Sequence, residues 1–125
     1  MKLAFCTKSK DGIDLDDRFG RAAAFLIVDS AGGGDAGSGK GLENSLAEAS
    51  GSAGIGAVQL LADEGVEGLI APRLGPKAAD AAFRLGLKVW NQGGASTADQ
   101  ALEDWSAGRL EEVVETEKPK GLYRA

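Results

Sequence analysis

Arg18-Phe19-Gly20-Arg21 is the segment with the most pointed chemistry: two guanidinium groups flank an aromatic ring and a glycine, so one turn can present both to an anion. The same residues would also suit a solvated loop in which the arginines pair with Asp14, Asp16 or Asp17. Three polar stretches rich in glycine add backbone N–H groups: Gly51-Ser52-Ala53-Gly54-Ile55-Gly56, Arg73-Leu74-Gly75-Pro76-Lys77 and Asn91-Gln92-Gly93-Gly94-Ala95-Ser96-Thr97. Each leads into a segment that reads as helix, where unpaired N–H groups and the helix dipole favour negative charge. Each also serves as a simple turn, so their convergence matters more than any one of them. The first does not reproduce the G-x-G-x-x-G spacing of dinucleotide sites.

Other chemistry is excluded or thinly supported. The chain has no histidine, which removes histidine-dependent triads and imidazole ligands. Its lone cysteine, Cys6, cannot supply the clustered thiolates of an iron-sulfur or structural zinc site. Cys6 closes an apolar run, so it reads as a packing residue or a single metal ligand, with Lys8 and Lys10 raising its thiolate fraction if they lie near it. Asp11, Asp14, Asp16 and Asp17 lack the terminal glutamate of a calcium loop and read as a solvated acidic stretch. A formal charge of -5 opposes a phosphate backbone, which argues against nucleic acid as a partner.

The elements that must position these loops follow from hydrophobic period and punctuation. Residues 2–7 and 24–29 read as strands near a sheet centre, followed by a glycine-rich loop over 30–41 and a weak returning strand at 42–46. From Gly54 the stripe Ile55, Val58, Leu61, Ala62 predicts a buried helical face that stops at Gly65. A strand at 68–71, a helix from Pro76 to Leu85 stopping at Gly86, and a strand at 87–90 come next. Thr97 and Gln100 have capping-box spacing, opening a last helix that buries Ala98, Ala101, Leu102 and Trp105. Helix-strand repetition implies parallel crossovers, and the first strands imply an antiparallel hairpin. The expected fold is α/β, a mixed sheet with flanking helices, in one domain over 1–110 with an extension over 111–125. No apolar run is long enough for a membrane span, and residues 1–10 turn polar at Thr7 without the apolar stretch of a secretory signal, so a cytoplasmic address is expected.

The order of these segments, with Arg18-Phe19-Gly20-Arg21 ahead of Ala24-Phe25-Leu26-Ile27-Val28-Asp29, then Ala53-Gly54-Ile55-Gly56-Ala57, Leu69-Ile70-Ala71 and Gly75-Pro76-Lys77-Ala78, resembles the dinitrogenase iron-molybdenum cofactor biosynthesis family. The resemblance covers residues 1–110 and implies an RNase H-like fold without catalytic residues, acting in binding and delivery of an anionic metal-sulfur cluster. Many members carry a histidine where this chain has Arg18. Within the family the chain is similar to a branch that holds a molybdenum-copper sulfide cluster without covalent attachment. The resemblance also leaves the iron-molybdenum cofactor or its precursor as cargo, with cluster donor or acceptor proteins as partners.

A cluster that brings its own sulfides needs few protein ligands, and cations with backbone N–H groups compensate its charge. On that basis Arg18, Arg21, Arg73, Lys8 and Lys10 neutralise the cluster, Phe19 shields it, and Gly20, Gly75, Gly93 and Gly94 give backbone access, with Cys6 the one candidate metal ligand. A nuclease of the same fold would need carboxylates on the central strands, which residues 3–7, 69–71 and 87–90 do not offer. The remaining rival is a regulatory or scaffold domain that binds a protein or a small phosphate ligand at the same helix starts.

Overall fold

Strand β1 (Lys2–Thr7) shows why this chain makes a layered structure: Leu3 and Phe5 enter one hydrophobic cluster, while Ala4 and Cys6 enter another. Side chains alternate across a strand, so a fully apolar run must be covered on both faces. Strand β2 (Ala24–Asp29) repeats the pattern with Phe25 and Ile27 on one side and Leu26 and Val28 on the other. The computed structural model describes residues 1–30, 39–45 and 53–114.

The remaining elements are β3 (Lys40–Glu43), α1 (Ala53–Asp63), β4 (Gly68–Ala71), α2 (Pro76–Arg84), β5 (Lys88–Asn91), α3 (Ala98–Ser106) and β6 (Glu112–Val113). They form one sheet in the order β3-β2-β1-β4-β5-β6. β1 pairs antiparallel with β2 and parallel with β4, and β4 pairs parallel with β5. This is the mixed sheet expected from the sequence, hairpin and parallel crossovers included, and it agrees with the RNase H-like fold that the resemblance implies. Ala57, Val58 and Leu61 of α1 and Ala78 and Ala82 of α2 cover the face bearing Ala4 and Cys6. Ala98, Ala101 and Trp105 of α3 cover the face bearing Leu3 and Phe5. The parallel strands β1, β4 and β5 end on the same edge of the sheet, and the loops that follow them gather there.

Three boundaries differ from expectation for identifiable reasons. The returning strand lies at Lys40–Glu43, two residues earlier than expected, and includes Gly41. A Cβ on Gly41 would run into the Lys10 backbone carbonyl, so the strand needs glycine where the loop after β1 leans on it. Strand β5 begins at Lys88 because the Leu87 N–H donates to the Ala82 carbonyl (2.9 Å) to close α2, with Gly86 left-handed at φ +80°. Glu112–Val113 adds a short antiparallel strand to β5, so the sheet runs past residue 110. Thr97 caps α3 as its spacing predicts, its hydroxyl accepting from the Gln100 N–H at 3.2 Å. Residues 31–38 of the glycine-rich loop, residues 46–52 and the tail from 115 to 125 lie outside the described residues. Among the described residues no helix is long and apolar enough to cross a membrane.

Candidate functional site

The turn that follows the acidic loop is built to hold one side chain in and put another out. Phe19 is buried against Phe25, ring centroids 5.8 Å apart, and Ala22 is fully buried, so the turn is anchored at both ends. The Ala22 N–H closes it on the Phe19 carbonyl at 3.2 Å. Arg21, between these anchors, is exposed. From beyond β3, the buried Asn44 donates its side-chain amide to the carbonyls of Gly20 (3.0 Å) and Ala22 (2.9 Å), and its backbone N–H to that of Ala23 (3.0 Å).

This turn forms one wall of a cleft of about 540 Å³ at the carboxyl edge of the parallel strands. Gly54 and Ile55 at the start of α1 form a second wall, and Arg73 with Gly75, Pro76, Lys77 and Ala78 at the start of α2 forms the third. The two helix starts converge because residue 54 is glycine: a Cβ there would stand 3.1 Å from that of Ala78. Gly75 precedes α2 in an extended conformation without a side-chain cap, and Pro76 takes the first turn, where its missing N–H is not needed. A Cβ on Gly75 would meet nothing within 4 Å, so its side of the cleft is open space.

Among the described residues the lining carries three cations, Arg21, Arg73 and Lys77, and no carboxylate. In a chain of net charge -5 this is a local reversal of sign. Phe19, Ile55, Pro76 and Ala78 make the rest of the surface largely apolar. Such a cleft suits an anion that is large and weakly hydrated, because the cations attract its charge while the apolar wall asks for no directional bonds. Among the described residues no group of three histidine, cysteine or carboxylate side chains could hold a metal ion. What the described lining offers a ligand is positive charge and apolar surface.

Of the residues expected at the site, Phe19, Gly20, Arg21, Arg73 and Gly75 line this cleft. Arg18 does not; its Nε and Nη2 donate to the two carboxylate oxygens of Asp16, each at 3.1 Å. Lys8 and Lys10 are exposed on the loop after β1, away from the lining, the Lys8 N–H donating to the Asp14 carbonyl at 2.9 Å. Gly93 and Gly94 stand in the exposed loop between β5 and α3, also outside the lining, with Gly93 left-handed at φ +63°. Cys6 is fully buried in β1, where burial first and the charge of Asp16 second push its thiol far above the ordinary range. A buried, protonated thiol is not available as a ligand in this conformation.

The cleft also includes residues that the sequence reading did not select. Lys77 stands in a stretch already marked for anions, and its position in the first turn of α2 was the available signal. Ile55, expected on the buried stripe of α1, is 39% exposed because the first turn of the helix projects past the core. Asn44 had no sequence signal: its role depends on a tertiary contact across 24 residues.

Comparison with known proteins follows the same lines. The family described as dinitrogenase iron-molybdenum cofactor matches residues 1–108. The apo form of the orange protein from Desulfovibrio gigas superposes with a TM-score of 0.81 at 32% identity, covering 94% of this chain and 96% of that one. A Thermotoga protein assigned to NifB and to the DUF35 family superposes with a TM-score of 0.72 at 34% identity, covering 94% of this chain and 97% of that one. No curated protein matches the sequence.

Proposed function

The chain belongs to the dinitrogenase iron-molybdenum cofactor family, and from that premise we propose that it is a non-catalytic carrier that holds an anionic metal-sulfur cluster in the cleft between α1 and α2. The observation that carries this reading is the trio Arg21, Arg73 and Lys77 on a lining that is otherwise largely apolar among the described residues. The cations compensate the cluster's charge, Phe19 and Ile55 shield its sulfides from water, and the helix starts direct backbone N–H groups at it. The cargo that suits this donor set is a molybdenum-copper sulfide cluster held without covalent attachment, as the resemblance implies. A second reading, carriage of the iron-molybdenum cofactor or a precursor, is favoured by the family description itself.

Titration of the apo protein with tetrathiomolybdate and copper(I), followed by visible absorption, tests the proposal. Stoichiometric uptake that molybdate and phosphate do not reproduce supports it, as does loss of uptake in the Arg21→Ala, Arg73→Ala, Lys77→Ala triple variant. Uptake of an iron-molybdenum-sulfur precursor in place of the copper-bearing cluster moves the assignment to the second reading. Binding of phosphate alone overturns both and supports a regulatory domain.

A further inference from the structure

We infer that Asn44 is the positioning residue of the cleft, setting the place of Arg21 and so the strength with which the site holds an anion. The inference rests on the cleft being the binding site, as proposed above. Asn44 is 4% exposed, and its amide nitrogen spans the carbonyls of Gly20 and Ala22, the residues on either side of Arg21. The Gly20–Arg21 and Ala22–Ala23 peptide groups are thereby tied to the residue that follows β3, while the peptide between them is held by the Ala22 N–H on the Phe19 carbonyl. Its backbone N–H adds a third tie, to the Ala23 carbonyl at 3.0 Å.

Between the two clamped residues, Arg21 is the charged side chain, and it lines the cleft. Arg18 is engaged by Asp16, Phe19 is sunk against Phe25, and Ala22 is buried, whereas Arg21 lines the cleft. An amide is suited to the task because one NH₂ donates to two carbonyls at once, which a carboxylate of the same shape cannot do. Asn44→Asp therefore replaces a donor by a group that repels both carbonyls while keeping the size of the side chain.

The test is a double-mutant cycle with tetrathiomolybdate as the probe. Asn44→Asp is expected to weaken binding about tenfold in the parent and in Lys77→Ala, but less than about twofold in Arg21→Ala, because interaction energies appear only between coupled residues. Equal losses in all three backgrounds, or no loss, would overturn the inference. If Asn44→Asp does not fold, Asn44→Ser, which keeps one hydroxyl donor, takes its place with the same expectations.

Amide hydrogen exchange gives a readout that needs no ligand. The Ala22 amide, which closes the turn, should exchange about tenfold faster in Asn44→Asp while Leu69 and Ile70 in the central strand keep parent rates. A parent protein that does not bind the probe defeats the carrier reading, and exchange then decides the positioning role by itself: unchanged protection at Ala22 rejects it.

Discussion

Asp16 grips Arg18 through both carboxylate oxygens, Oδ1 to Nε and Oδ2 to Nη2, each at 3.1 Å, and Oδ1 also accepts the Arg18 backbone N–H at 3.0 Å. The carboxylate is buried and the guanidinium side chain is 62% exposed, so the pair anchors the start of the turn and leaves Arg18 committed away from the cleft. Arg18→Ala should therefore lower the denaturation midpoint, by leaving Asp16 without its partner, and shift tetrathiomolybdate affinity by less than about twofold. Arg21→Ala and Arg73→Ala should each weaken that affinity by about tenfold or more, the worth of a charge-assisted contact. Parallel titrations and urea melts of the three variants separate the two roles.

The same pair sets an acid limit to stability. Burial raises the Asp16 pKa, but the hydrogen bonds and charge of Arg18, with the backbone N–H of Asp17, outweigh it and hold the carboxyl below its ordinary 3.8. Below 3.8 the unfolded chain binds the proton first, so stability rises with pH in that window. The contribution is complete above the unfolded value and is lost as pH falls through the folded one. Asp16→Asn should flatten this part of the acid limb in urea unfolding measured between about pH 2 and pH 6.

Cys6 should behave as core. An aromatic disulfide reagent at neutral pH should leave it unmodified in the folded protein and react stoichiometrically once denaturant is added, as expected of a thiol with no exposed surface. Cys6→Ala should retain cluster uptake at the parent stoichiometry. Loss of uptake in a folded Cys6→Ala protein would assign the thiol a ligand role that its burial opposes.

Gly75 offers a way to block the cleft without disturbing the fold. Its φ of -69° is open to any residue and its Cβ would stand in empty space, so Gly75→Glu should cost less than about 1 kcal/mol of stability. The introduced carboxylate would face Arg21, Arg73 and Lys77 and compete with any anion, so probe binding should be abolished while thermal melting stays near the parent value.

Much of the fold was legible because its signals are local. Pro76 and Gly86 bracket α2, Thr97 with Gln100 opens α3, and the apolar runs of β1 and β2 announce strands covered on both faces. Strand β6 carries no such signal: Glu112 and Val113 are exposed, and pairing with Trp90 and Val89 alone makes them a strand. Likewise Gly41 reads as loop until the carbonyl of Lys10 explains why a strand needs glycine there.

The candidate cleft was legible by residue type and illegible by partner. Arg21, Arg73 and Gly75 could be selected as residues suited to anions, and they share the cleft. Which of several aspartates would engage Arg18, and that an asparagine beyond β3 would hold the turn, are tertiary facts without periodicity or spacing. Lys8 and Gly93 had equally suitable chemistry and lie outside the cleft lining, because proximity in a loop-rich edge depends on which face of the sheet each loop crosses.

The most direct test of the carrier assignment is metal and acid-labile sulfide analysis, with a visible spectrum, on protein purified natively before any chelator or reductant is added. Stoichiometric molybdenum and copper with sulfide, and a charge-transfer band that disappears in the Arg21→Ala, Arg73→Ala, Lys77→Ala variant, is the predicted result. Protein that is free of metal and sulfide, and that also refuses a supplied cluster, would contradict the assignment.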